Sequence, residues 1–96
     1  MSPKNKKKLD IIRKKLDQID NQLLEIIKKR TLLVNEVVKL KENKSEIVDQ
    51  KRISSILKNI KAKSIKNNID PKITNRIWKN MIWSYINYER RNFKKK

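Results

Sequence analysis

The chain has 96 residues, enough for one domain of modest size, and it contains no cysteine and no histidine. This composition excludes disulfides, thiolate nucleophiles, histidine bases and most soft metal sites, so we expect no metal and no cofactor. The net charge of +17 favours anionic partners, from polyanions to a small acidic ligand. An ordinary lysine-rich surface with no specific partner is the simpler interpretation of this charge.

The scarcity of turn-forming residues indicates helices rather than sheet. The chain has no glycine, and its prolines are Pro3 and Pro71. We expect residues 1–8 to form a basic tail, residues 9–93 a single helical domain, and residues 94–96 a second basic tail. No uninterrupted apolar segment follows the basic start, so we expect no signal peptide, no membrane partner and a cytoplasmic location.

The first predicted helix runs from Leu9 to Lys41. Its apolar residues recur at spacings of three and four, which is typical of a helix that packs lengthwise on other helices. Two shorter helices would not cover so long and wide a stripe, so we expect a symmetric partner chain to cover part of it. This apolar seam consists of Leu9, Ile12, Leu16, Ile19, Leu23, Ile26, Leu33, Val37 and Leu40.

Arg30 stands at the position of this seam where an apolar residue is missing. A buried arginine costs several kcal/mol unless an anion meets it, so a carboxylate of the protein or a ligand is expected there. Lys41 comes eleven residues later and returns to nearly the same side, where the two cations could bracket a small dianion. Arg13 lies about 25 Å from Arg30 along the helix, too far to share a ligand within one chain. If Arg13 serves a ligand, that ligand is held mainly by a partner chain.

Two shorter helices are predicted to follow. Asp49 is suited to cap the second helix, and the pair Asp70 and Pro71 is a strong start signal for the third. Arg52 lies in the first turn of the second helix, where its side chain can point inward or into solvent.

The third predicted helix carries a second charge on an apolar face. Glu89 falls on the same stripe as Trp78 and Ile82. Two explanations stay open for the two misplaced charges: Arg30 and Glu89 could pair with each other, or both could face a bound ligand.

The order of these charged residues resembles that of the all-helical chorismate mutases over nearly the whole chain. The resemblance rests on Arg13, Arg30 and Lys41 along the first helix, Arg52 at the start of the second and Glu89 late in the third. It implies an intertwined homodimer of three-helix chains that converts chorismate to prephenate, on the route to phenylalanine and tyrosine. Such a pericyclic rearrangement needs no nucleophile, metal or redox cofactor, which fits the composition.

The resemblance also implies a role for each site residue. Arg30 and Arg52, with Arg13 donated across the dimer interface, would hold the two carboxylates of the substrate. Lys41 would contact the ether oxygen and a carboxylate, and Glu89 would face the same ether oxygen, for which it has to be protonated. The predicted catalytic residues are therefore Lys41, Glu89 and Arg30, and the predicted substrate-binding residues are Arg13, Arg30, Lys41, Asp49, Arg52, Tyr85 and Glu89.

Two positions depart from the family pattern. Many members carry a glutamate directly after the arginine of the second helix, where it binds the substrate hydroxyl, and this chain has Ile53. Tyr85 stands where a small hydroxyl residue is common, and it is either a core aromatic or an edge of the pocket. Asp49 would lie near the ring hydroxyl, as a site residue, a plain helix cap, or both.

At these two positions the chain resembles isochorismate pyruvate lyases. Their reaction is the first alternative to the mutase function. A second alternative is a basic helical dimer that binds nucleic acid or acidic surfaces. Because the lysines are spread along every segment, we expect no specific nucleic-acid partner.

Overall fold

The structure, a computed structural model, describes residues 1–94, so Lys95 and Lys96 of the predicted C-terminal tail lie outside the described residues. Within residues 1–94 the chain forms three α-helices, one short 3-10 helix and no strand. The predicted all-α class, with one long and two shorter helices, is confirmed. The helices are α1 at Pro3–Leu40, α2 at Gln50–Lys66 and α3 at Pro71–Asn92, with the 3-10 helix at Lys44–Glu46 between α1 and α2.

The long helix α1 begins six residues before its predicted start at Leu9. The backbone N–H of Asn5 donates to Ser2 Oγ at 3.2 Å, and the N–H of Lys6 donates to the Ser2 carbonyl at 2.8 Å. Ser2 therefore caps the helix, and Pro3 suits its first position because proline lacks the N–H that would be left unpaired there. The predicted basic tail is helical from Pro3 onward.

The chain divides into two compact units, residues 1–33 and the residues from 34 onward. The first unit is the N-terminal part of α1. Its apolar side chains are about half exposed, as in Leu16 at 53% and Leu23 at 49%. Most of the seam in this unit is therefore open to solvent.

The second unit contains the end of α1 together with α2 and α3. Its core is small and centres on the buried side chains of Ile47, Ile82 and Ile86. Ile47 lies in the connection before α2, so its buried side chain anchors this connection to the core. Partly buried residues pack around this centre, namely Val48, Ile53, Ile56, Leu57 and Phe93.

The turn between α2 and α3 is held by polar side chains. Ser64 Oγ and Thr74 Oγ1 lie 2.7 Å apart in a buried hydrogen bond that ties the end of α2 to the start of α3. Asn68 adopts the left-handed conformation at φ 58°, which asparagine tolerates better than most residues in a chain without glycine. Asp70 caps α3 by accepting from the backbone N–H of Lys72 at 2.9 Å, as the sequence predicts.

Candidate functional site

Lys41 is the first residue of the connection after α1, and the side chain of Glu46 holds this connection in place. The backbone N–H groups of Glu42 and Asn43 donate to Glu46 Oε2 at 2.6 and 2.9 Å. The backbone N–H of Lys41 donates to the Val38 carbonyl at 3.3 Å, so Lys41 extends the last turn of the helix. These bonds fix the backbone from which the Lys41 side chain projects.

Lys41 and Glu89 form an ion pair. Lys41 Nζ donates to Glu89 Oε1 at 3.1 Å, and the side chains are 19% and 9% exposed. Two charges withdrawn from water to this extent interact strongly, and either one becomes costly if its partner is removed. The carboxylate that the sequence places on an apolar face of α3 is thus buried, and the structure supplies a cation for it.

Asp49 caps α2, as predicted. Its Oδ1 accepts from the backbone N–H of Arg52 at 3.0 Å. Both side chains are exposed, so the guanidinium of Arg52 is accessible to a ligand. The cap role of Asp49 is confirmed, and its contact with a substrate stays a prediction.

An open groove brings Lys41 and Asp49 together at the end of α1. One part of its wall is apolar, and the other part carries two lysines and two carboxylates. The groove therefore offers both apolar contacts and charged groups. The groove is lined by Val37, Leu40, Lys41, Glu46, Val48, Asp49, Gln50 and Lys51.

Tyr85 lies one helical turn before Glu89 on α3 and is half-buried. Its ring meets the ring of Tyr88 edge to face, with the centroids 6.3 Å apart and the planes at 87°. The hydroxyl of Tyr88 donates to Asn35 Oδ1 on α1 at 2.8 Å. The sequence does not predict this contact between Asn35 and Tyr88. The one local signal is the spacing of Tyr85 and Tyr88, three residues apart on the same helix.

The predicted arginines of the first helix both lie in the unit of residues 1–33. Arg13 is exposed and Arg30 is half-buried. Since α1 is helical throughout, the separation of seventeen positions between them corresponds to about 25 Å, as the sequence predicts. Their position relative to Lys41 and Glu89 stays a prediction.

Among residues 1–94, no group of three or more histidines, cysteines, aspartates or glutamates is arranged to hold a metal ion. None of the helices formed by these residues is long and apolar enough to cross a membrane.

The fold and the site define an all-helical protein in which a largely buried lysine–carboxylate pair adjoins an open groove. A family model described as chorismate mutase type II matches residues 12–90, more than four-fifths of the chain. The chain therefore belongs to the chorismate mutase type II family, which is a family of isomerases, and all seven predicted site residues lie in the matched range. Comparison with curated proteins and with solved structures gives no significant match.

Proposed function

We propose that the protein converts chorismate to prephenate. The observation that carries this proposal is the ion pair between Lys41 Nζ and Glu89 Oε1, 3.1 Å apart and largely withdrawn from water. The family resemblance assigns these two residues to the groups that face the breaking ether bond. The groove beside Lys41 offers an apolar wall for the ring of such a substrate.

The reaction is intramolecular and needs few chemical groups. One carbon–oxygen bond breaks and one carbon–carbon bond forms within the same molecule, so no atom is exchanged with the protein. The main task is to hold the compact conformer in which the two reacting carbons approach each other. In our proposal Arg30 and Arg52, with Arg13 from a second chain, bind the two carboxylates and select this conformer.

Lys41 is proposed to stabilise the negative charge that develops on the ether oxygen. An ammonium group has three N–H donors, and Glu89 takes one of them, which leaves two for the ether oxygen and a neighbouring carboxylate. A cation fixed in place before the reaction stabilises this charge without reorganisation. Glu89 holds the ammonium in position and, when protonated, donates a second hydrogen bond to the same oxygen.

The proposal includes a homodimer in which each chain completes the site of the other. The seam of α1 is about half exposed in the single chain, for example 51% at Ile19 and 58% at Ile26. An apolar stripe of this length is typical of a surface that another protein chain covers. Arg13 stands on the same helix, about 25 Å from Arg30, and would reach the site of the other chain.

One observation favours a second candidate, isochorismate pyruvate lyase. Ile53, directly after Arg52, is half-buried and packs against the core of Ile47, Ile82 and Ile86. A side chain in this position offers no acceptor to a substrate hydroxyl. An isomer of chorismate with its hydroxyl elsewhere on the ring would therefore lose no hydrogen bond because of Ile53.

The test compares turnover of chorismate and of isochorismate, with product analysis, for the parent protein, Arg30→Ala and Lys41→Ala. Lys39→Ala is the matched control, because Lys39 is an exposed lysine in the last turn of α1 and its removal changes the net charge equally. We expect prephenate from the parent and from the control, and a rate lowered by about 10²-fold or more in Arg30→Ala and Lys41→Ala.

Near-normal turnover by either Arg30→Ala or Lys41→Ala would refute the pocket assignment. Pyruvate released from isochorismate alone would replace the mutase with the lyase. If neither compound were consumed, both proposals would fail, and salt-dependent binding of polyanions would be measured next.

A further inference from the structure

Two consecutive residues of α3 bond to side chains from the end of α1 and the residue that follows it. The hydroxyl of Tyr88 donates to Asn35 Oδ1 at 2.8 Å, and Glu89 Oε1 accepts from Lys41 Nζ at 3.1 Å. All four residues are half-buried or buried and belong to the same compact unit. The two bonds therefore link α3 to one short stretch of the chain, residues 35–41.

The two bonds point in different directions around α3. Successive residues of an α-helix project about 100° apart, so Tyr88 and Glu89 leave the helix on different sides. The ion pair by itself would permit α3 to roll about its own axis, because the flexible Lys41 stem could follow the carboxyl group. The short bond between Tyr88 and Asn35 opposes this rotation, since neither side chain has such a long flexible stem.

Tyr88 also touches a predicted site residue. Its ring meets that of Tyr85 edge to face, at a centroid distance of 6.3 Å. Tyr85 and Glu89 are four residues apart and project from nearly the same side of α3. The hydrogen bond to Asn35 fixes the orientation of the Tyr88 ring. Because the two rings are in contact, it also influences the position of the Tyr85 ring.

We propose that Asn35 and Tyr88 are positioning residues for the site. Their hydrogen bond sets the rotation of α3 and with it the locations of the Glu89 carboxyl group, its partner Lys41 and the Tyr85 ring. Neither residue contacts the substrate in this inference, which rests on the proposed function. A displacement of about 1 Å in such groups is enough to lower a reaction rate by up to 10²-fold.

The experiment compares Tyr88→Phe, Asn35→Ala and the double variant with a matched control, Ser64→Ala. Ser64 makes a buried hydroxyl bond to Thr74 at 2.7 Å near the other end of α3, away from the site. We expect Tyr88→Phe to lower kcat about three- to tenfold with little change in KM, because the carboxylate-binding arginines are untouched. The double variant should be no slower than the slower single variant, since both remove the same bond.

Ser64→Ala should lower the melting temperature by as much as Tyr88→Phe while keeping kcat within about twofold of the parent. If the two variants lowered kcat equally for the same loss of melting temperature, the bond would be merely structural. If the losses from Asn35→Ala and Tyr88→Phe multiplied in the double variant, the two residues would not act through a shared bond. Either result overturns the inference.

A second readout does not depend on turnover. The NMR chemical shift of the Glu89 side-chain carboxyl carbon, recorded without substrate, reports its contact with Lys41. We expect a change in Tyr88→Phe and none in Ser64→Ala. If the parent failed to convert chorismate, the proposed function would fall, and this shift would still decide the positioning: an unchanged signal in Tyr88→Phe would refute it.

Discussion

Replacing Lys41 by methionine should destabilise the protein, because the buried carboxyl group of Glu89 then loses its cationic partner. Methionine retains much of the aliphatic stem, so the change isolates the ammonium group. Removing one partner of a fully buried pair costs about 3–5 kcal/mol, and the 19% exposure of Lys41 lowers the expected loss to ~2–3 kcal/mol. A surface pair would lose less than about 1 kcal/mol, so the two cases are distinguishable.

The assay is urea unfolding followed by circular dichroism at one fixed protein concentration, since association would make the midpoint depend on concentration. The double variant Lys41→Met/Glu89→Leu removes both charges and should recover most of the lost stability while remaining inactive. If Lys41→Met unfolded at the same urea concentration as the parent, or if the double variant were no more stable than the single one, Lys41 would not be what stabilises the buried carboxylate.

Three further predictions concern activity, pH and the helix cap. Equal amounts of Arg13→Ala and Arg30→Ala chains, each inactive alone, should regain about a quarter of the parent activity after mixing under exchange, because half of the dimers then hold one intact site; no recovery would refute the shared site. Glu89→Gln should flatten any decline of kcat at high pH, since an amide donates at every pH, and an unchanged pH profile would remove Glu89 from the mechanism. Asp49→Ala should lower the melting temperature by about 4–8 °C through the loss of a cap worth about 1 kcal/mol, whereas Asp49→Asn should keep the cap; equal melting temperatures for the two variants would contradict this.

The helices could be predicted from the sequence because their signals are local. The signals for α2 and α3 are capping residues that bond to backbone groups no more than three residues away. In the structure α2 begins directly after Asp49, and α3 begins at Pro71, directly after Asp70. The start of α1 was predicted too late, because the lysine-rich segment offers no apolar periodicity. The cap at Ser2, which sets the true start, was overlooked.

The contact between Lys41 and Glu89 could be predicted only in part. Periodicity alone marked Glu89 as a charge on an apolar face, but its partner Lys41 lies 48 residues away, and only the family resemblance brought the two together. The bond between Asn35 and Tyr88 spans 53 residues and has no counterpart in any local pattern. Contacts of this kind depend on how the helices pack, which spacing along one helix does not determine.

The half-exposed seam of α1 has a kinetic consequence for assembly. In the proposed homodimer, burial of this seam is a bimolecular step, so its rate rises with protein concentration. Two copies that each carry a net charge of +17 repel each other before they touch, which slows their encounter and also discourages nonspecific aggregation of single chains. Dissolved salt screens this repulsion over about 8 Å at physiological ionic strength. If the proposed homodimer is the active form, the seam and the charge together make ionic strength a control on how fast it assembles from newly made chains.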